Sequence, residues 1–125
     1  MTTVYEAIMR AADHVERNPE SYAFCCLFVP CDGELGCMWG HVGRALGMNN
    51  DTGNMEVANA CGTSTMRLYS FAEKSFPGYT SNPILAAKAL RAYANKYHAP
   101  AKRDLIPASV REIFSRTYTA RDLTV

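Results

Sequence analysis

The sequence lacks the short motifs by which several enzyme classes are recognised. It contains no G-x-x-x-x-G-K-[ST] loop, no G-x-G-x-x-G after a strand, no H-E-x-x-H and no G-x-S-x-G. These absences exclude the usual sequence signatures of phosphate-loop enzymes, dinucleotide-dependent enzymes, zinc proteases and α/β-hydrolases. We therefore expect no cofactor.

Long apolar runs and a secretory leader are also missing. The longest apolar stretch, residues 22–30, is about ten residues shorter than a membrane-spanning helix requires. Residues 1–6 show no basic region followed by an apolar run, so we expect no signal peptide. The sequence thus predicts a soluble protein with no membrane segment.

The cysteines do not form the pattern of a disulfide framework. Their number is odd, two of the five are adjacent, and Cys25, Cys26, Cys31 and Cys37 fall within thirteen positions. We expect reduced cysteines in a cytoplasmic protein, with Cys25, Cys26 and Cys37 mostly buried as small apolar side chains.

The net charge is only +1, but its distribution is uneven. Residues 1–82 carry five basic and nine acidic side chains, and residues 83–125 carry eight and three. Such a split indicates either an interaction surface or two parts of the chain that attract each other. Helices with solvated basic faces would give the same pattern. The length predicts a single domain over residues 1–125, in which residues 99–125 form a basic C-terminal extension.

The first helix has clear limits in the sequence. Thr3 and Glu6 have the spacing of a capping box, and Asn18 before Pro19 predicts the end of the helix. Apolar residues recur at helical spacing between them. They are Val4, Ile8, Ala11, Ala12 and Val15.

Residues 22–29 are apolar at every position and rich in aromatic side chains. This pattern favours a buried strand or extended segment, although a buried helical turn would give the same pattern. A second helix is predicted from near Leu35 or Gly36 to a C-terminal Gly47. Gly40 and Gly43 leave one of its faces without side chains, which predicts close packing or a shorter helix.

Further helices are predicted at residues 55–60, 64–76 and 82–97, and a last short one from Pro107. Asn82 and Pro83 give the 82–97 helix a strong start signal. The expected fold is mainly α: a single compact domain of five to six helices with a short extended or β-like element near residues 22–29. The side chains expected in the core include Phe24, Phe28, Trp39, Leu46, Tyr69, Leu90 and Tyr93.

Three segments in this order carry a resemblance. They are R-A-A-D at residues 10–13, G-C-M-W-G-H-V-G-R-A-L-G at 36–47, and Y-T-S-N-P at 79–83. Over roughly residues 4–98 the chain resembles a family of small uncharacterised helical domains in bacterial and bacteriophage genomes. That family shows a Trp-Asn-Asp type sequence before its last helix, where this chain has residues 79–82. The resemblance implies a fold type and a mobile-element origin, but no reaction.

Two chemical hypotheses centre on Cys37. With His41, one helical turn away, it would form half a zinc site, but the other cysteine spacings differ from paired C-x₂₋₄-C ligands, so we expect no metal. At a helix N-terminus Cys37 would instead suit a nucleophile. That role needs a histidine base, and neither His41 nor His98 is placed convincingly for it.

Basic residues in the C-terminal third are the candidate binding residues. They are Lys88, Arg91, Lys102, Arg103 and Arg111, with tyrosines nearby. Such a set would bind a phosphate backbone with salt-dependent affinity. No nucleic-acid-binding motif accompanies it.

The function expected from these features is binding to another protein without catalysis. With the resemblance, the sequence suggests an accessory factor of a bacteriophage that inhibits host defence. A homodimer is also allowed. The alternatives are a nucleic-acid-binding protein that uses the basic C-terminal third, and a cysteine-dependent enzyme with Cys37 as nucleophile.

Overall fold

Residues 2–100, the part of the chain that the computed structural model describes, fold into five α-helices, which confirms the mainly α fold. The helices are α1 (Val4–Arg17), α2 (Met38–Ala45), α3 (Asn54–Ala60), α4 (Thr65–Ser75) and α5 (Pro83–Tyr97). A short 3₁₀ turn, Pro19–Ser21, follows α1. The helix predicted from Pro107 and nearly all of the basic extension lie outside the described residues.

Side-chain caps fix the starts of the two longest helices. The Thr3 hydroxyl accepts the Glu6 N–H at the start of α1, at 3.1 Å. The Asn82 carboxamide oxygen accepts the N–H groups of Ile84 and Leu85 at the start of α5, at 3.0 and 3.3 Å. These bonds satisfy amides that have no partner within the helix, as the sequence predicts.

The core lies between α1, α2 and α5, and α1 packs against both of the others. Trp39, Leu90 and Tyr93 are fully buried, as predicted, and the Trp39 and Tyr93 rings meet edge to face with centroids 6.2 Å apart. Leu46 and Tyr69 are only partly buried and pack against the edge of the core. α5 contributes mainly alanines, whose small side chains allow close approach to its neighbours. They are Ala86, Ala87, Ala89 and Ala94.

Ion pairs join α5 to α1 at the rim of the core. The Arg91 guanidinium donates to the Asp13 carboxylate at 2.7 Å and to the Glu16 carboxylate. Both carboxylates raise the pKa of Arg91, chiefly through these hydrogen bonds. Partly exposed pairs of this kind stabilise a fold only slightly. They do link the acidic and the basic parts of the chain, as one interpretation of the charge split predicted.

α2 begins later than predicted, at Met38 with Cys37 as its N-cap. The reason is that Gly36 pairs with the segment after α1: its N–H donates to Ser21 O and its carbonyl accepts from Ala23 N, at 2.9 and 3.0 Å. The backbone at Gly36 is therefore engaged in a bridge instead of a helical turn. At the other end Gly47 has a φ of +79°, which suits glycine after a helix.

The glycine face of α2 packs closely, and the helix is also shorter than expected. A Cβ added at Gly40 would lie 3.0 Å from Phe28 O. A Cβ at Gly43 would lie 2.5 Å from Val29 Cγ2 and 2.7 Å from Val57 Cγ2. Neighbouring atoms thus leave no room for a side chain at Gly40 or Gly43, which explains why two glycines occur inside this helix.

The segment after α1 is extended but not buried as predicted. Within residues 2–100 it forms isolated bridges, Tyr22 with Gly36 and Phe28 with Gly53, and no strand. The predicted burial of Phe24 and Phe28 is wrong: their side chains are 37% and 55% exposed, whereas Val29, Pro30 and the Phe28 carbonyl pack against α2. No helix in this part of the chain has the length and apolarity needed to cross a membrane.

Candidate binding surface

Three large apolar side chains are exposed along the segment between Tyr22 and Val29. Phe24, Leu27 and Phe28 have exposed fractions of 37%, 69% and 55%. Single exposed apolar residues are common on protein surfaces, but neighbouring ones usually mark a site of interaction. The sequence did not predict this exposed apolar site, because a run of apolar residues is typical of a buried segment.

Backbone hydrogen bonds fix this segment against the start of α3. Leu27 O accepts the Asn54 N–H at 2.9 Å, and Val29 N donates to Thr52 O at 3.0 Å. The Asn54 side chain, 8% exposed, donates through Nδ2 to Cys26 O at 2.9 Å. The exposed side chains are therefore presented by an anchored backbone.

Neighbouring elements extend the exposed apolar area. Met55, next to Asn54, is 72% exposed. The Phe24 ring meets the rings of Tyr69 and Tyr79 edge-on, with centroids 5.6 and 5.7 Å apart. These two tyrosines line a groove of about 340 Å³ with Met66, which is 63% exposed. We term this set the apolar surface: Phe24, Leu27, Phe28, Met55, Met66 and Tyr69, with the buried Tyr79 at the base of the groove.

Charged side chains border the apolar surface, and most of them are acidic. Asp51 and Glu56 are exposed beside its α3 end, and Glu73 lines the groove with Lys74. The pKa of Tyr79 is raised by burial and, to a smaller extent, by the charge of Glu73. Three acids against Lys74 and Arg67, which lines a groove with Met66, leave this border with a small net negative charge.

Directly beneath the apolar surface lies the buried thiol of Cys37. Its Sγ lies 2.9 Å from Asn54 Nδ2, 3.4 Å from Gly40 N and 3.7 Å from Tyr69 Oη. Burial, followed by the neighbouring Cys37, raises the pKa of Tyr69, so its phenol is neutral. Asn54 thus uses one amide group to tie the exposed segment to the start of α2.

The same contacts count against Cys37 as a nucleophile. Its side chain is fully buried, and in residues 2–100 its hydrogen-bond partners include no histidine. His41 Nε2 is bound to Ser21 O at 2.9 Å, and the His98 ring packs on Tyr93. Nucleophilic catalysis requires a base within hydrogen-bond reach of the thiol, and these contacts supply none.

Three members of the cysteine cluster that the sequence suggested stay near one another: burial, followed by the nearby Cys37 and Cys25, raises the pKa of Cys26. In residues 2–100 no three histidine, cysteine or acidic side chains converge as metal ligands. All five cysteines are free, but the predicted burial is wrong for Cys25, which is exposed, and for Cys26, which is half-buried. Both lie on the segment that faces outward. Cys37 is buried, as predicted.

We expect Cys25 to be the fastest cysteine to react with a thiol reagent under native conditions. Cys37 and Cys61 are buried, and burial raises the pKa of Cys61. Their reaction requires local opening and should be slower by about tenfold or more. In stopped-flow titration with a chromogenic disulfide, Cys25→Ser should remove the fastest phase. Its loss in Cys37→Ser instead would show an activated Cys37.

A pair of histidines packs beside the bridge between Tyr22 and Gly36. The His14 and His41 rings have centroids 5.0 Å apart, and in the described part of the chain His14 Nε2 and His41 Nδ1 have no partner. Burial lowers the pKa of His41, and the charges of His14 and Arg44 act in the same direction. The fold therefore favours a neutral His41.

Stability should consequently fall in mild acid. The unfolded chain takes up protons near the ordinary histidine pKa of 6.5, whereas folded His41 and His98 take them up at lower pH. The free energy of unfolding should be constant above that pKa and decrease below it by up to about 1.4 kcal/mol per pH unit and proton. Denaturant titrations between pH 5.5 and 8 test this. His41→Gln should flatten the slope, and an unchanged slope would contradict the assignment.

Only two of the five basic residues predicted to bind lie in the described part of the chain. Lys88 is exposed on α5, whereas Arg91, three residues later, is occupied by its ion pairs with α1. Lys102, Arg103 and Arg111 lie outside the described residues. The structure thus places only the first two of the five, three residues apart on α5.

The positions that carry the resemblance to bacterial and bacteriophage domains have defined roles in the fold. Cys37 caps α2, Gly40 and Gly43 allow close packing on it, and Asn82 caps α5. Membership of that family remains a prediction. No family profile, curated protein or solved structure matches this chain.

Proposed function

We propose that this protein binds another protein through its apolar surface. The observation that carries the proposal is the joint exposure of Leu27, Phe28 and Met55, each more than half exposed, on adjoining backbone segments. A partner that buried one such side chain fully would gain about 1.5 to 3 kcal/mol from it. Exposed apolar groups of this size otherwise favour aggregation.

The anchoring of the segment supports binding with little reorganisation. Its backbone is bonded to Thr52 and Asn54, so little chain entropy remains to be lost on association. Met55 and Met66 add flexible, polarisable side chains that adapt to a partner's shape. The surface thus combines rigid aromatic groups with adaptable ones.

The acidic border indicates the chemistry of the partner. Asp51, Glu56 and Glu73 would complement a protein that surrounds apolar side chains with lysine or arginine. This charge would speed association and make it sensitive to salt. A cytoplasmic bacteriophage factor that inhibits a host defence protein fits these features, and that identification rests on the resemblance of the sequence.

Capture of partners from bacterial lysate, followed by mass spectrometry, tests the proposal. The bait is the tagged full chain, compared with a Leu27→Ser, Met55→Ser double variant. Ile84→Ser is the matched control, because Ile84 is also an exposed apolar side chain but lies outside the apolar surface.

We expect the wild type and the control to retain a basic partner that the double variant loses. Recovery of nothing but the bait would overturn the binding of a foreign protein. If such a bait sediments as a dimer that the double variant disrupts, the surface joins two copies. Equal recovery by all three baits would show that the apolar surface is not used.

A further inference from the structure

A second groove, of about 450 Å³, lies between α4 and the C-terminal end of α5. Arg67, Ser70, Phe71 and Lys74 project into it from one face of α4, since they are spaced three, four and seven residues apart. α5 contributes Lys96 and Tyr97. Its volume is in the range of pockets for small ligands.

Positive charge is concentrated on the aromatic rings of this groove. Lys96 Nζ lies 5.6 Å from the centre of the Phe71 ring and 5.3 Å from that of Tyr97. Arg67 Cζ lies 5.6 Å from the same Tyr97 ring. Two cations therefore lie close to one ring. Their positive charges repel each other, and a bound anion would reduce that repulsion.

Within residues 2–100 these cations have none of the carboxylate partners that hold Arg91. In the described part of the chain, Arg67, Lys74 and Lys96 form no ion pair, and the side chains lining the groove include no acid. Glu73 is the nearest acid in sequence and faces the adjoining groove with Lys74. The hydroxyls of Ser64, Ser70 and Ser75 and the side chain of Met66 complete the lining. Hydroxyls and cations together suit phosphate oxygens.

We propose that this groove, which we term the cationic groove, binds the phosphate groups of nucleotides. The three cations would pair with phosphate oxygens, and the Tyr97 ring with the Arg67 guanidinium would provide flat surfaces for a base. The cationic groove adjoins the groove of the apolar surface, and Met66, Ser70 and Lys74 line both. It also differs from the basic set predicted from sequence, because Arg91 is occupied and Arg67 and Lys74 belong to α4.

The same chemistry is offered by a free nucleoside triphosphate and by single-stranded nucleic acid. The probes are therefore ATP, a fluorescent thymidine oligonucleotide of about eight units and pyrophosphate, each titrated into the full chain at low salt. The test variant is Arg67→Ala with Lys96→Ala. Lys88→Ala is the matched control on α5, and Lys102→Ala with Arg103→Ala tests the C-terminal segment.

We expect the Arg67→Ala, Lys96→Ala variant to weaken nucleotide binding by about tenfold or more and to flatten its salt dependence. Lys88→Ala should change the affinity by less than about twofold. Tighter binding of ATP than of the oligonucleotide would identify a free nucleotide as the ligand, and the reverse order would identify a single strand. Circular dichroism should confirm that all variants fold; Arg67, Lys88 and Lys96 are exposed.

Three results would overturn the proposal. One is no binding of ATP or of the oligonucleotide at low salt. Another is an equal loss in Lys88→Ala or in the Lys102→Ala, Arg103→Ala variant, which would assign binding to general positive charge. The third is pyrophosphate binding as tight as that of ATP, which would show that the rings contribute nothing to recognition.

Discussion

Gly43→Ala is expected to lower the free energy of unfolding by about 1 to 3 kcal/mol. The added methyl would lie 2.5 Å from Val29 Cγ2 and 2.7 Å from Val57 Cγ2, closer than carbon atoms approach without displacement. Val29 and Val57 are both buried, so neither side chain has free space to move into. The higher helix propensity of alanine, about 1 kcal/mol, offsets only part of this strain.

Gly53→Ala provides the matched control for Gly43→Ala. A Cβ at Gly53 would meet only Leu27 O, at 3.9 Å, and the φ of Gly53 is −80°. Urea titration of both variants should show a lower midpoint for Gly43→Ala alone. The Gly43→Ala, Val57→Ala double variant should lose less stability than the sum of the losses in the two single variants, because Val57→Ala removes one of the two close contacts. Equal stability of the two glycine variants would refute the close packing of α2.

Trp39→Ala should lower the free energy of unfolding by about 3 to 5 kcal/mol. Trp39 is the only tryptophan, is fully buried and packs edge to face on Tyr93. Its indole N–H also donates to Thr65 O at 3.2 Å, which ties α2 to the start of α4. Since small domains are stable by about 5 to 15 kcal/mol, this change removes a large share of the total.

Trp39→Phe keeps part of the apolar volume and removes the hydrogen bond, so its loss should be smaller than that of Trp39→Ala. Thermal unfolding followed by circular dichroism measures both variants. Leu35→Ala, at a half-exposed side chain, is the control and should shift stability little. A Trp39→Ala protein as stable as this control would contradict the position of Trp39 in the core.

The helices were predictable because their limits depend on local chemistry. Thr3 and Asn82 accept backbone N–H groups within three residues of themselves, and Asn18 donates to His14 O, four residues earlier. Such short-range effects can be predicted from the sequence. The glycines of α2 were also interpretable, since an internal helical glycine requires a specific reason. The start of α2 was less predictable, because it depends on the pairing of Gly36 with Ser21, fifteen residues earlier.

The candidate binding surface could not be predicted, because exposure is decided by tertiary contacts. The pattern of residues 22–29 would be the same for a buried strand and for an anchored exposed loop. What separates the two is the side-chain amide of Asn54, which binds Cys26 O and Cys37 Sγ across 28 and 17 residues. Neither partner is indicated by spacing.

The cationic groove could not be predicted from the sequence either, for a different reason. Net charge by segment left attraction between the two parts of the chain as one of three interpretations, and Arg91 does bind Asp13 and Glu16. It could not predict which cations are left without a carboxylate. That depends on the packing of α4 against α5, which gathers Arg67, Lys74 and Lys96 around Phe71 and Tyr97.

Oxidative footprinting of methionines in the captured complex tests the binding surface most directly. In the free chain Met55 and Met66 should be oxidised rapidly, since they are 72% and 63% exposed, whereas the fully buried Met38 should be oxidised slowly in every state. Association through the apolar surface predicts slower oxidation of Met55 and Met66 in the complex, with Met38 unchanged. Equal oxidation of Met55 and Met66 in the free and bound chain would contradict it.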